Sequence, residues 1–425
     1  MAPNRPGEQQ AVITATGKDC QVLFIGDSNT QFWENGGFKA IWDHYYGDRH
    51  AINFGIGGDA INDIRSRLRD AQWGDCQPPV TVVLAGTNDR ADQPDQRAKK
   101  IKLLIGEVFL HFPHTHVLLV SIPPCGLDKN EPLKTSYFAT NDIIKSFADG
   151  QNTFYIDLAQ TMTWEEGLGF TGIGGDRLHI NEEGRLHWAE LMEPTISSIL
   201  KDTPKAPLPH PELPAYAGDP HASTILIAGD GSASTGEFRT DLQNQLTKDG
   251  YAYHLVGPYS DPKVLPPLQS LYFGSWGEKL DVLQKTVPPI TKKYKPDILV
   301  LFAGFGEVNY GKNETATIAP RVSTLLDNIA AASPSTQIIL CAITPHADPT
   351  KNATIVEANA SLADMLKARA SSPKPVIYAD CYNAIDPSTL SQGYLPKKEG
   401  FEKIAASVSP AIETILVKST PPPSK

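Results

Sequence analysis

Residues 22–30 read Val-Leu-Phe-Ile-Gly-Asp-Ser-Asn-Thr, and this stretch decides the fold. Its apolar half is typical of a buried strand, and Gly-Asp-Ser marks a tight turn before an amphipathic stretch that begins near Phe38. Ser28 is therefore predicted at the carboxyl end of the first strand, where open α/β sheets bind ligands. Turns favour serine for backbone reasons alone, so a catalytic role for Ser28 depends on partners further along the chain.

The pattern of apolar strand followed by amphipathic helix continues through the first half of the chain. Five strands are predicted there, at Gln21–Gly26, His50–Gly55, Val80–Gly86, Thr115–Ile122 and Thr153–Leu158. Helical patterns lie near Gly37–Tyr46, Ala60–Gln72, Pro94–Phe112, Leu133–Asp149 and Asn181–Leu200. Several strands are apolar throughout, as a sheet covered on both faces requires. The alternation predicts an α/β fold in which a parallel sheet lies between two layers of helices.

The second half restarts this pattern after a proline-rich stretch. Thr224–Gly229 matches the first strand, and Asp297–Gly304 matches the third. A period near 200 residues indicates a tandem duplication. We therefore predict a catalytic domain at 1–202, a linker at 203–223, a second domain at 224–418 and a disordered tail at 419–425. One larger domain with a long surface loop is the alternative.

Composition excludes several classes of protein. The 425 residues carry a formal net charge of −10, which argues against a nucleic-acid partner. No apolar run approaches the roughly 18 residues of a membrane helix. Five cysteines, without metal-ligand spacing, suit neither a disulfide framework nor a metal centre. The polar N-terminus favours the cytoplasm, although sequons at Asn313, Asn352 and Asn359 would suit a secreted protein from which a leader was removed.

Four blocks of the first half carry residues suited to acyl transfer. They are Gly26-Asp27-Ser28, Asn53–Asp59, Gly86–Asp89 and Gly175–His179. A serine hydroxyl needs a base to take its proton, and a histidine needs a carboxylate to orient it. Each block alone would be an ordinary turn, helix cap or glycine bulge. Four in this order at the ends of predicted strands favour a catalytic site.

These blocks resemble those of the SGNH, or GDSL, hydrolase superfamily. Asn53-Phe-Gly-Ile-Gly-Gly-Asp59 is similar, within it, to the catalytic subunits of the intracellular platelet-activating-factor acetylhydrolases. The resemblance implies a flavodoxin-like five-stranded sheet and a reaction without metal or cofactor. It implies that Ser28 is the nucleophile, His179 the base and Asp176 the third member of a triad. It also implies an oxyanion hole formed by Ser28, Gly58 and Asn88.

The second half resembles a degenerate copy of the same domain. Gly231 stands where Ser28 would be, with Ser232 one residue late, and Gly306 falls opposite Asn88. Gln392 and Leu395 fall opposite the acid and the base. A triad reaction is not expected there. Because the acetylhydrolase subunits it resembles act as dimers, we predict that the second domain replaces a partner subunit. Independent folding without such a role is the alternative.

The sequence thus predicts two tandem three-layer α/β domains, of which the first is a serine esterase. The substrate is predicted to be a small acylated ester, with acetyl as the favoured acyl group. An acyltransferase that uses the same triad and a non-catalytic binding or scaffold protein are the two alternatives. The intact serine, asparagine, aspartate and histidine of the first half argue against the scaffold.

Overall fold

The computed structural model describes residues 5–34, 38–210, 221–260, 268, 271–274, 277–311, 315–371 and 375–416. The chain divides into two compact units, Met1–Pro211 and Glu212–Lys425, here called the first and the second unit. The predicted tail and residues 211–220 of the predicted linker lie outside the described residues. Residues 203–210 lie against the first unit, where the Lys205 backbone N–H donates to Glu193 over 2.7 Å.

The first unit contains a five-stranded sheet in which every pairing is parallel. Its strands are β1 (Val22–Gly26), β2 (Ile52–Gly55), β3 (Val80–Leu84), β4 (His116–Val120) and β5 (Thr153–Ile156). The spatial order is β2-β1-β3-β4-β5. All five predicted strands are present, each one to three residues shorter than predicted. A two-residue antiparallel pair, β6 (Trp164–Glu165) with β7 (Gly169–Phe170), lies outside this sheet.

Helices cover both faces of this sheet, which gives the predicted three layers. The helices are α1 (Arg5–Thr16), α2 (Ser28–Gln31), α3 (Lys39–Tyr46), α4 (Ile61–Asp70), α5 (Pro94–His111), α6 (Pro132–Lys145) and α7 (Glu182–Leu200). One core cluster joins the sheet to α4, α5 and α6. The other joins it to α3 and α7 around Phe24, Trp33 and Trp188. β1 is buried along its whole length because it lies between these clusters.

The second unit contains a six-stranded parallel sheet. Its strands are β8 (Ser223–Gly229), β9 (Tyr253–Val256), β10 (Phe273–Gly274), β11 (Ile298–Phe302), β12 (Gln337–Cys341) and β13 (Ile377–Ala379). The main path runs β10-β8-β11-β12-β13, the strand order of the first sheet. Five strands were predicted. The sixth arises because β9 and β10 pair with opposite ends of β8, so that two short strands share the position that β2 holds alone.

The second unit repeats the helical layers of the first. Its helices are α8 (Gly236–Lys248), α9 (Leu280–Tyr294), α10 (Phe305–Tyr310), α11 (Thr315–Ala332), α12 (Pro349–Ala368) and α13 (Lys398–Glu413). The two-domain α/β architecture is therefore confirmed. Within the described parts of both units, no helix is long and apolar enough to cross a membrane.

Candidate active site

Ser28 begins α2 directly after the end of β1, as predicted. Gly26 must be glycine, because a Cβ there would lie 2.5 Å from the Leu84 carbonyl oxygen of the neighbouring strand. The Asp27 carboxylate accepts from the Asn29 backbone N–H over 2.9 Å and so caps the short helix. This turn leaves Ser28 nearly buried at the carboxyl edge of the sheet, with 9% of its surface exposed.

The His179 ring connects Ser28 to Asp176. Its Nε2 lies 2.9 Å from Ser28 Oγ, and its Nδ1 lies 2.6 Å from Asp176 Oδ2. Burial acts to raise the pKa of Asp176, but hydrogen bonds from the His179 ring and from two backbone N–H groups lower it to about 2. Asp176 is thus ionised at neutral pH, and it accepts a hydrogen bond from a proton that stays on Nδ1. Nε2 is left to accept from the Ser28 hydroxyl, the direction that base catalysis requires.

The loop that carries Asp176 is stabilised by hydrogen bonds to the Asp176 side chain itself. The second carboxylate oxygen, Asp176 Oδ1, accepts from the backbone N–H groups of Leu178 and His179, each over 3.0 Å. Arg177, between the acid and the base, has a φ of 62°, in the left-handed region. The spacing of Asp176 and His179 therefore permits one carboxylate to orient the imidazole ring and to hold the backbone that carries it.

The two further oxyanion candidates lie on neighbouring loops at this edge. Gly58 follows β2 with a φ of 88°, and, its two chain neighbours apart, no atom of the described residues lies within 4 Å of where its Cβ would be. Asn88 follows β3, and its side-chain amide donates to the Asp59 carbonyl over 2.9 Å. Since an amide has two hydrogens, the second stays available for a ligand. A Cβ on Gly57 would lie 3.5 Å from Ser28 Cβ, so the glycine turn passes close to the serine.

The Asn88 turn is held by two residues that the sequence analysis did not single out. Arg97, fully buried on α5, donates twice to the Asp89 carbonyl, over 2.8 and 3.3 Å. The Tyr137 hydroxyl donates to the Thr87 carbonyl over 2.6 Å. Both side chains come from helices on one face of the sheet. No sequence motif predicts the bonds that Arg97 and Tyr137 make to this turn, because no fixed spacing along the chain relates either side chain to the carbonyl that it contacts.

Asn53 performs a similar task for the nucleophile turn. Its amide donates to the Thr30 and Gln31 carbonyls over 3.1 and 3.2 Å, and its oxygen accepts from the Gly55 backbone N–H. It thereby connects the end of β2 to α2. The sequence analysis quoted Asn53 as part of a motif, and its polar side chain in an apolar strand was the available signal of a structural role.

Asp27 brings a buried carboxyl group next to the nucleophile. It is fully buried, and burial raises its pKa to about 6, against the opposing effects of the Asn29 N–H and the Thr87 hydroxyl. The Asp27 carboxyl group therefore titrates closer to neutrality than an exposed aspartate would.

The corresponding edge of the second unit has no triad among its described residues. Gly231 follows β8, and the Ser232 side chain lies outside the described part of the chain. A Cβ on Gly306 would lie 2.1 Å from the Glu278 carbonyl oxygen, so no asparagine fits there without a shift of the backbone. The cavity beside Asp230 has a volume of about 10 Å³, room for about one water molecule.

Metal ligation finds no support in the described residues of either unit. No group of three or more histidine, cysteine, aspartate or glutamate side chains in those residues could hold a metal ion. The five cysteines are buried and free.

Comparison with known families places the first unit in a class of hydrolases. Residues 24–185 match the GDSL-like Lipase/Acylhydrolase family. The resemblance to the SGNH/GDSL superfamily is thus confirmed for the first unit. Lipases and acylhydrolases are enzymes that hydrolyse esters.

Individual relatives align with the same half of the chain. "Platelet-activating factor acetylhydrolase IB subunit alpha2" of Rattus norvegicus is 26% identical over 195 residues, 46% of this chain and 83% of the relative. The alpha1 subunit of Bos taurus is 26% identical over 204 residues, 47% of this chain and 86% of that protein. Among solved structures, a family 3 carbohydrate esterase from Talaromyces cellulolyticus is 23% identical, with a TM-score of 0.42, over 45% of this chain and 97% of its own.

Proposed function

We propose that the first unit is a serine esterase that transfers a small acyl group from an ester to Ser28 and then to water. The observation that carries this proposal is the unbroken contact series from Ser28 Oγ through the His179 ring to Asp176. In this mechanism the Ser28 oxygen attacks the ester carbonyl carbon while His179 Nε2 takes the hydroxyl proton. Asp176 stabilises the imidazolium that forms.

The oxyanion that develops on the ester needs hydrogen-bond donors already in place. We assign this role to the backbone N–H groups of Ser28 and Gly58 and to the free amide hydrogen of Asn88. Collapse of the tetrahedral intermediate expels the alcohol, which takes the proton from His179. Water then attacks the acyl-enzyme with His179 as base, and the carboxylate leaves with Ser28 restored.

Acetyl is the acyl group that we propose. The support is the name of the relatives, which are acetylhydrolases that share 26% of their aligned residues with the first unit. Phe32 gives the site an apolar surface beside the base, with its ring centre 4.8 Å from that of His179.

The test is hydrolysis of p-nitrophenyl esters from acetate to octanoate by the wild type and by Ser28→Ala. We expect the wild type to hydrolyse acetate fastest and the variant to be inactive. A fluorophosphonate that labels Ser28 in a protein without ester turnover would instead favour the acyltransferase, tested by addition of alcohol or amine acceptors. Absence of both turnover and labelling would overturn the enzyme and favour the scaffold.

For the second unit we propose a non-catalytic role as a substitute for a partner subunit. The support is the loss of the reacting side chains from a unit that keeps the strand order of the first. A protease site inserted within residues 211–220 of the full chain permits a test without truncation. If the cleaved halves separate and ester turnover stays unchanged, the substitution proposal is wrong.

A further inference from the structure

Asn29, directly after the proposed nucleophile, makes three hydrogen bonds that meet at the site. Its backbone N–H donates to Asp27, and its side-chain oxygen accepts from the Ile180 backbone N–H over 3.0 Å. Its backbone carbonyl accepts from Arg185 over 3.0 Å. Ile180 follows His179. Asn29 therefore connects the turn that carries the serine to the loop that carries the base, although the two lie about 150 residues apart.

Arg185 is an unusual partner for that carbonyl. It is fully buried on α7, and among the described residues its Nε and one terminal nitrogen have no hydrogen-bond partner. Its guanidinium lies 4.9 Å from the centre of the Trp33 ring and 4.5 Å from that of Phe38. Burial lowers the pKa of Arg185 to about 9, so the group keeps its charge at neutral pH.

An unpaired buried cation destabilises a fold, and an apolar side chain of similar size would be less costly there. Two contacts offset this cost for Arg185, the aromatic faces and the bond to the Asn29 carbonyl. A hydrogen bond from a charged donor is stronger than one from a neutral donor, so it restrains that carbonyl firmly. The carbonyl belongs to the residue that connects the serine turn to the His179 loop.

We propose that Asn29 and Arg185 are a positioning pair that holds the Ser28 hydroxyl within hydrogen-bond distance of His179. Neither side chain needs to touch the substrate. Asn29 joins the two loops, and Arg185 holds Asn29 from the buried side. The proposal rests on the function proposed above, because it concerns the reaction at Ser28.

The test uses Asn29→Ala, Arg185→Met and the double variant in the full chain. Misplacement of reacting groups by about 1 Å can cost about 10²-fold in rate, so we expect each single variant to lower kcat by about 10–100-fold. KM should stay within about twofold of wild type. The rate at which a fluorophosphonate labels Ser28 should fall in parallel with kcat. If the residues act as one device, the double variant loses little more than the worse single variant.

Arg239 of the second unit provides the matched control. It is also fully buried, donates to the Ala233 carbonyl over 2.8 Å and lies 3.9 Å from the Tyr272 ring centre. Arg239→Met should destabilise its unit, while kcat and the labelling rate stay at wild-type values at temperatures where both units remain folded. If Arg185→Met does not fold, Asn29→Ala still tests the pair, since it leaves the cation in place.

Two results would overturn the positioning pair. One is a wild-type labelling rate in folded Asn29→Ala. The other is an additive loss of kcat in the double variant. Failure of the proposed function has a different signature, because a wild-type protein without ester turnover can still be labelled at Ser28. In that case the labelling rates of the variants decide whether the pair positions the serine.

Discussion

At the carboxyl edges of their sheets, the two units are more alike in backbone conformation than in side chains. Gly86 and Gly304, which follow the third strand of each main path, have φ of 117° and 114°. Asp89 accepts from the first N–H of α4 over 2.9 Å, and Glu307 accepts from the first N–H of α9 over 2.7 Å. In each unit a carboxylate after the third strand of the main path thus caps the helix that follows the edge strand, two positions away in the sheet.

The difference lies in what occupies the space above this shared backbone. In the first unit the Asn88 side chain reaches the Asp59 carbonyl. In the second, Gly306 has no side chain and the Glu278 carbonyl approaches it directly. Gly58 faces open space, whereas a Cβ on Gly277 would lie 2.7 Å from the Tyr310 ring. The edge therefore keeps these hydrogen bonds with or without the proposed place for an oxyanion, which is why fold alone does not establish function.

Of the substitutions considered for the two units, those at the residues that follow Asp27 and Asp230 should show the largest difference in ester hydrolysis. We expect Ser28→Ala to lower ester hydrolysis by about 10⁴-fold or more, because the remaining groups cannot form an acyl-enzyme. Gly231→Ser should add neither turnover nor labelling, since Leu395 stands where a base would be needed. Steady-state kinetics and mass spectrometry of the labelled protein measure both. Labelling of Gly231→Ser at the new serine would contradict the division into one active and one inactive unit.

Asn88→Gly gives the first unit the residue found in the second. Loss of one oxyanion donor typically costs about 10²–10³-fold in kcat, and we expect a loss in that range with little change in KM. The expected loss exceeds what the Asp59 hydrogen bond contributes to stability, about 1 kcal/mol. Kinetics at temperatures well below the unfolding transition separate the two effects. An unchanged kcat in a folded variant would remove Asn88 from the oxyanion hole.

The strand order and the position of the main candidate residues at one edge of the sheet could be predicted from the sequence, for a physical reason. Ser28, Asn88 and His179 follow strands or precede the last helix, and the carboxyl ends of parallel strands meet at one edge of a sheet. Strand order and the approach of these loops therefore follow from apolar periodicity and turn residues.

The supports of the site could not be predicted in this way. Arg97 and Tyr137 reach the Asn88 turn from helices, and such contacts depend on how whole layers pack. The same holds for the split edge strand of the second unit, where β9 and β10 pair with different ends of β8. The approach of the Glu278 carbonyl to Gly306 is likewise a contact that residue types alone do not announce.

The buried aspartates extend the comparison to pH. Burial raises the pKa of Asp230 to about 7, further than that of Asp27, and nearby Glu307 acts in the same direction. Since the folded-state pKa is raised, stability is fully present below the unfolded pKa near 3.8 and falls as the pH rises through 7.

Asp230→Asn should therefore stabilise the second unit relative to wild type, and this gain in the free energy of unfolding should be larger at pH 8 than at pH 5. The difference between the two gains should be on the order of a few kcal/mol. Asp27→Asn should show the same sign with a smaller change in the first unit. Hydrogen exchange of peptides from β8 and from β1, measured at both pH values, reports on each unit separately. A gain that is equal at the two pH values would show that the carboxyl group does not titrate in this range.

The smallest expected effect concerns the glycine that closes the second edge. Gly306→Ala puts a Cβ 2.1 Å from the Glu278 carbonyl oxygen, so the backbone must shift, at a cost of roughly 1–3 kcal/mol. Gly106→Ala, at an exposed position of α5, is the matched control, because no described atom outside its own stretch of helix backbone lies within 4 Å of the new Cβ. It should stabilise the first unit by up to about 1 kcal/mol. Hydrogen exchange again assigns each change to its unit. If Gly306→Ala were tolerated as well as Gly106→Ala, the loop at Glu278 would have room for a side chain. An asparagine could then be introduced at position 306 without a shift of the backbone. The second unit would in that case lack its serine, acid and base, but it would have space for an oxyanion.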